Sequence, residues 1–288
     1  MFSAVGHNGL RMVSLDGIDW SNIQTGKEGE TFRAVCAGND LIVAVGSYGG
    51  SNLFSATRDG ITWTHNSQDA QYSKYIRGIG FGNKQFLGLG GDPGSVGSSK
   101  PFTMTTKDGI SWNDPHQVGG KNMLRRIAWG KNRFVAVGDR GRRTTSVDGI
   151  TWSDAEEVKA IDTLIDIAYG AGLFVGVGLH GLRMTSADGL TWTDLQRGEE
   201  GEHLNSILWA DDRFVAVGFG VTFSSTDGRT WKRLPNQSAP QTATFGNGIF
   251  VGASWRGRMF HSLDAVTWKP VFKAEQHVES LCYLSKSI

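Results

Sequence analysis

Short apolar runs that close on a small residue punctuate the whole chain. "FSAVG", "LIVAVG", "QFLGLG", "RFVAVG", "LFVGVG", a second "RFVAVG" and "IFVGAS" are rich in β-branched and aromatic residues and end on Gly or Ser, which predicts strands. A second run precedes six of them: "FRAVCAG", "IRGIGFG", "LRRIAWG", "LIDIAYG", "LNSILWA" and "TATFGN". A polar motif follows each: "SLDGIDW", "TRDGITW", "TKDGISW", "SVDGITW", "SADGLTW", "STDGRTW" and "SLDAVTW", ending at Trp20, Trp63, Trp112, Trp152, Trp192, Trp231 and Trp268. Successive Trp residues are 43, 49, 40, 40, 39 and 37 positions apart.

Each unit therefore reads as four strands, A to D, and there are seven units. "FSAVG" at Phe2 has no strand A before it, and its missing partner stands at the far end in "VESLCYLSKSI". A repeat of roughly 41 residues, with both termini in one unit, predicts an all-β fold. It is a seven-bladed β-propeller of four-stranded antiparallel blades, with residues 279–285 pairing with residues 2–6 to close the ring. The reading is one domain over 1–288, with blade 1 split between 278–288 and 1–24. The other blades fall near 30–70, 74–118, 122–158, 162–198, 202–236 and 240–274.

Asp-Gly between strand-like runs predicts a two-residue hairpin turn with φ > 0 at both central positions. In the fourth copy Ser146 hydrogen-bonds across the Asp148-Gly149 turn and Trp152 packs between blades. A catalytic device has no reason to recur seven times around a ring, so the motif is structural. Ser/Thr-x-Asp-Gly-x-Thr-Trp resembles a shortened Asp-box, the hairpin of sialidases and bacterial neuraminidase repeats. It also resembles the repeats of photosystem II stability/assembly factor propellers. The resemblance covers essentially the whole chain and implies a fold, with the box on the face away from any ligand. The usual box has one more residue between Asp and Gly.

Composition adds limits. Lys and Arg number 29 against 28 Asp and Glu, so the charge balance predicts no nucleic-acid partner. No apolar run reaches the ~18 residues of a membrane span, so no membrane insertion is expected. The N-terminus carries no signal-peptide pattern. Cys36 and Cys282 align on strand A of neighbouring units and are expected to be free thiols, because packed sheets stand ~10 Å apart. His7, His65, His116, His180, His203, His261 and His277 show no metal-ligand spacing in the chain. Neither a metal nor another cofactor is expected. "GVGLHG" opens a strand rather than a helix and is no dinucleotide motif.

Function is expected on the face that bears the variable B–C and D–A connections, including a long insertion from Gly90 to Pro101. One aligned position near the start of strand A holds Arg33, Arg77, Arg125, Ile165, Asn205, Thr242 and Glu279. Three arginines on consecutive blades suit a carboxylate, phosphate or sulfate. The alternative is that each pairs with a nearby acid such as Glu28, Glu30 or Asp69. Arg140, His180, Trp255 and Arg256 lie in the surrounding loops, Trp255 offering a face for stacking. These seven residues form the candidate ligand-binding set, with no catalytic residue assigned. The chain reads as a recognition or assembly module for a glycan, an acidic ligand or a protein partner. An extracellular or virion-associated setting, such as a phage tail, is favoured. The other reading is a sialidase-like glycoside hydrolase using Tyr75 beside Arg77, although the Phe/Tyr-Arg-Ile-Pro signature is absent.

Overall fold

The computed structural model describes residues 1–70, 75–92, 99–155, 163–218, 220–235 and 238–285. They form seven four-stranded sheets, and the strands within each sheet pair antiparallel. Blade 1 takes its strand A from the C-terminus: Val278–Tyr283 runs against Phe2–Gly6, with Phe2 opposite Tyr283 and Gly6 opposite Val278. The ring is closed as the split repeat predicts. Half of the Gly90–Pro101 insertion, residues 93–98, lies outside the described residues.

The core sits between blades. Seven apolar clusters each join two neighbours: Val251 and Met259 of blade 7 meet Met12 and Leu281 of blade 1, and Val5 and Cys282 of blade 1 meet Ile42 and Trp63 of blade 2. Inside a blade, an aromatic on strand A packs on the first aromatic of strand B, as in Trp129–Phe134, Tyr169–Phe174 and Trp209–Phe214, with centroids 4.5–4.9 Å apart. Arginines buried at the start of strand C add a second tie. Arg11 reaches Trp63 of the next blade, Arg143 reaches Trp192 and Arg183 reaches Trp231, at 5.2–5.9 Å from ring centroid to guanidinium. Buried cation–π contacts of this kind are worth ~2 kcal/mol.

The box loop differs from the expected two-residue turn. In blade 1 strand C ends at Ser14 and strand D starts at Trp20, so five residues intervene. Only the second residue of the pair is left-handed: φ is 74° at Gly17, 80° at Gly149 and 62° at Ala265. The aspartate is the reason. In blade 4 Oδ1 of Asp148 accepts from the N–H groups of Ile150 and Thr151, both at 2.8 Å, while Ser146 Oγ accepts from Gly149 N–H at 2.8 Å. The carboxylate thus holds a wider loop than backbone pairing alone would. The same bonds recur in all seven copies, which makes the motif a structural clasp.

Candidate functional site

Strand A bulges near its start in blades 1 to 5, and the bulged residue is the aligned position each time. Register slips across Glu279, Arg33, Arg77, Arg125 and Ile165, each skipped between two paired neighbours. A bulge re-aims the extra side chain away from the pleat. It also brings a carbonyl against the facing strand. A Cβ on Gly46, Gly90 or Gly138 would stand 1.9–2.0 Å from the carbonyl oxygen of Thr31, Tyr75 or Met123. The small residue that closes each "AVG"-type run is therefore what permits the bulge opposite it. Ile165, Asn205, Thr242 and Glu279 line a central cavity of about 480 Å³ to which strand A of every blade contributes, and Arg33, Arg77 and Arg125 take the same aligned position on blades 2 to 4. Asp166, also in the cavity wall, takes backbone N–H bonds from Ile167 and Ile207, and its burial pushes its carboxyl above the usual range against the pull of Arg126.

The three arginines are not equivalent. Arg33 Nη1 donates to Glu279 Oε1 at 2.9 Å, across the seam of the ring, and its buried Nε has no partner. Arg125 forms an ion pair with Asp139 on the B–C turn of its own blade. Arg77 forms no hydrogen bond or ion pair with the described residues. Burial first, then the like charges of Arg33 and Arg125, pull its guanidinium below the usual range, while Glu279 and Asp139 oppose them. The acids proposed from local sequence, Glu28, Glu30 and Asp69, are not the partners. The two that serve come from the C-terminal strand and from a turn, which the bulge geometry brings within reach.

The loop residues divide into two groups. Arg140, His180 and Arg256 share one backbone site, the first left-handed residue of a tight B–C turn, with φ of 52°, 54° and 60°. Glycine follows each with φ between 63° and 74°. That pair is a type I′ turn, where Asn is the easy residue, as Asn8 is in blade 1. Arginine or histidine there carries backbone strain, a cost that often accompanies function. Trp255 is 59% exposed and stacks one face on His277 of blade 1, with centroids 5.2 Å apart. Trp255, Arg256, His7, His277, Lys273 and Glu275 line an open cavity of about 740 Å³. His180 pairs edge to face with His203 between blades 5 and 6, apart from the arginines of blades 2 to 4. Arg140 is exposed. Tyr75 Oη donates to the Gly49 carbonyl at 3.3 Å.

Sequence reasoning missed His7, His277 and Glu279 as a group. His7 Nε2 lies 2.8 Å from Glu279 Oε1, and His7 meets His277 edge to face at 5.0 Å. They stand at opposite ends of the chain, so no local spacing signals them. The pairing of the split blade was the one available clue.

No protein-family model and no curated protein matches the chain. Solved structures do. A virginiamycin B lyase from Staphylococcus aureus superposes with a TM-score of 0.69 at 11% identity, covering 86% of each chain. YCF48 bound to a D1 peptide gives 0.59 at 18%, covering 86% of this chain and 83% of that one. The WD40 propeller domain of Doa1 gives 0.65 at 11%, covering 96% and 89%. The likeness is one of fold. It places the chain among β-propellers of differing activity, and fold alone does not carry a function.

Proposed function

We propose that this propeller is a recognition or assembly module that seats an acidic segment of a protein partner on the channel mouth. The observation that carries the reading is Arg77, raised by a bulge between two other arginines and left without an acid of its own. A half-buried guanidinium beside two like charges is costly in the free protein, and a carboxylate from outside relieves it. Arg33 and Arg125, already steadied by Glu279 and Asp139, supply the flanking field. The stacked Trp255–His277 pair offers an apolar contact of the kind that anchors interfaces. One fold neighbour is a structure of YCF48 with a bound peptide, an arrangement this reading shares in kind.

A carboxylate-bearing sugar carries the same charge, so the test separates the two sources. An array carries acidic and neutral peptides beside uronic, sialylated and neutral glycans. Retention of acidic peptides, lost in Arg77→Ala, is expected. Retention confined to acidic glycans would move the ligand class to sugars, and binding indifferent to charge would overturn the reading.

A further inference from the structure

The closure of the ring assembles a second constellation beside the arginines. His7 sits just after strand B of blade 1, while His277 and Glu279 flank the start of its C-terminal strand A. One ring nitrogen from each histidine and one carboxylate oxygen of Glu279 all lie within 4.8 Å of one another. Ligands bound to one transition-metal ion at ~2.1 Å stand about 3–4 Å apart, so small side-chain rotations bring these atoms into range. The Nδ1 atom of His277 is buried and has no hydrogen-bond partner, which leaves a donor set with unspent capacity. The cavity in front of His7 and His277 has room for water in the open positions.

We infer that His7, His277 and Glu279 form a binding site for one divalent transition-metal ion of the zinc–nickel–copper class. The donor set decides the class. Two neutral imidazoles and a single carboxylate suit these metals, whereas calcium and magnesium demand more oxygen ligands. Arg33 donates to the same Oε1 at 2.9 Å, which is how an outer partner orients a ligating carboxylate. The Nε2 atom of His7 now shares a hydrogen bond with Glu279. On metal entry that nitrogen turns its lone pair to the ion and the ring proton moves to Nδ1. The neighbouring cations Arg33, Arg256 and Lys273 oppose a positive ion, so affinity is modest and an anionic co-ligand strengthens it.

Zinc, copper and calcium chlorides, each titrated into the full chain by calorimetry, test the site. One zinc or copper ion per chain is expected and no calcium. Copper should quench Trp255, which stacks on His277, and its paramagnetic resonance spectrum should show coupling to two nitrogens. His277→Ala and Glu279→Gln should each weaken binding at least tenfold, as should His7→Gln, whose half-exposed side chain can be exchanged while its backbone bridge to Thr31 is kept. His203→Ala should leave it unchanged and Arg77→Ala, which removes a cation facing Glu279, should not weaken it, so metal binding stands or falls apart from the acidic-segment reading. Loss in His203→Ala with retention in the His7 and His277 variants would place the ion at the other histidine pair and overturn the inference. Absence of binding, or calcium binding equal to zinc, would also overturn it.

Discussion

Replacing Arg77 with methionine keeps the aliphatic stem and removes the charge. If Arg77 is kept for a ligand rather than for the fold, the free protein should gain stability. Like charges near a surface cost about 0.2–0.5 kcal/mol per pair. Arg77 has two such neighbours, each partly cancelled by its own acid. Adding the partial burial of an unpaired guanidinium, discounted for solvent, brings the total to on the order of 1 kcal/mol. For a chain of 288 residues that raises Tm by roughly 1–2 °C. The assay is a thermal melt by circular dichroism at low salt and in 0.5 M NaCl, where screening shortens to about 4 Å. The gap between variant and parent should shrink at high salt. A variant that melts lower than the parent at low salt would show that Arg77 is a structural tie, and the reasoning would fail.

Acid should unfold the chain through its box aspartates. All seven sit below their ordinary range, and Asp108, Asp227 and Asp264 fall to about 2. The Thr230 and Arg229 N–H groups cause the shift at Asp227, while at Asp264 the Thr267 and Val266 N–H groups outweigh an opposing burial. A lowered folded value means stability is present above about 4 and is lost as pH falls toward 2; a flat melting profile between pH 5 and 2.5 would contradict this. Cys36 and Cys282 are free, and burial pushes the Cys36 thiol up to about 12 and Cys282 well above its ordinary value, so a thiol reagent should label neither until denaturant is added. Gly138→Ala, which sets a Cβ about 2.0 Å from the Met123 carbonyl, should destabilise by ~2–3 kcal/mol in chemical denaturation, whereas Gly172→Ala meets no neighbouring atom and should cost only the strain of its left-handed backbone. Trp268→Ala, 5% exposed, should cost ~3–5 kcal/mol in the same assay, and more than Trp192→Ala, whose ring is only partly buried.

The architecture was legible because it is written seven times. A single "RFVAVG" is an ordinary strand, but its return beside Trp residues about 40 positions apart fixes blade, strand order and closure together. The aligned arginines stood out for the same reason: alignment of the repeats isolates a position near the start of strand A where the blades differ in charge. Their partners were not. Glu279 reaches Arg33 only after the termini meet, and Asp139 reaches Arg125 only because strand A bulges. A bulge leaves little trace in composition, apart from the glycine it requires on the facing strand. The box turn was misread for a related cause. Asp-Gly signals a two-residue turn when backbone pairing sets the loop, whereas here the carboxylate of Asp148 sets it. His180 and Trp255 looked alike as loop residues, yet one meets His203 and the other His277.

Two arginines on neighbouring blades, Arg58 on blade 2 and Arg77 on blade 3, put the central claim to the most direct test. Arg77 stands at the channel mouth, while Arg58 is exposed on the opposite, box-bearing face, where it contacts the Asp40 carbonyl at 3.4 Å. Each is changed to alanine, and the affinity for a fluorescent oligoglutamate peptide is measured by anisotropy at one fixed salt concentration. The account predicts at least a tenfold loss in Arg77→Ala and an unchanged affinity in Arg58→Ala. Equal affinities in the two variants, or a loss confined to Arg58→Ala, would contradict it.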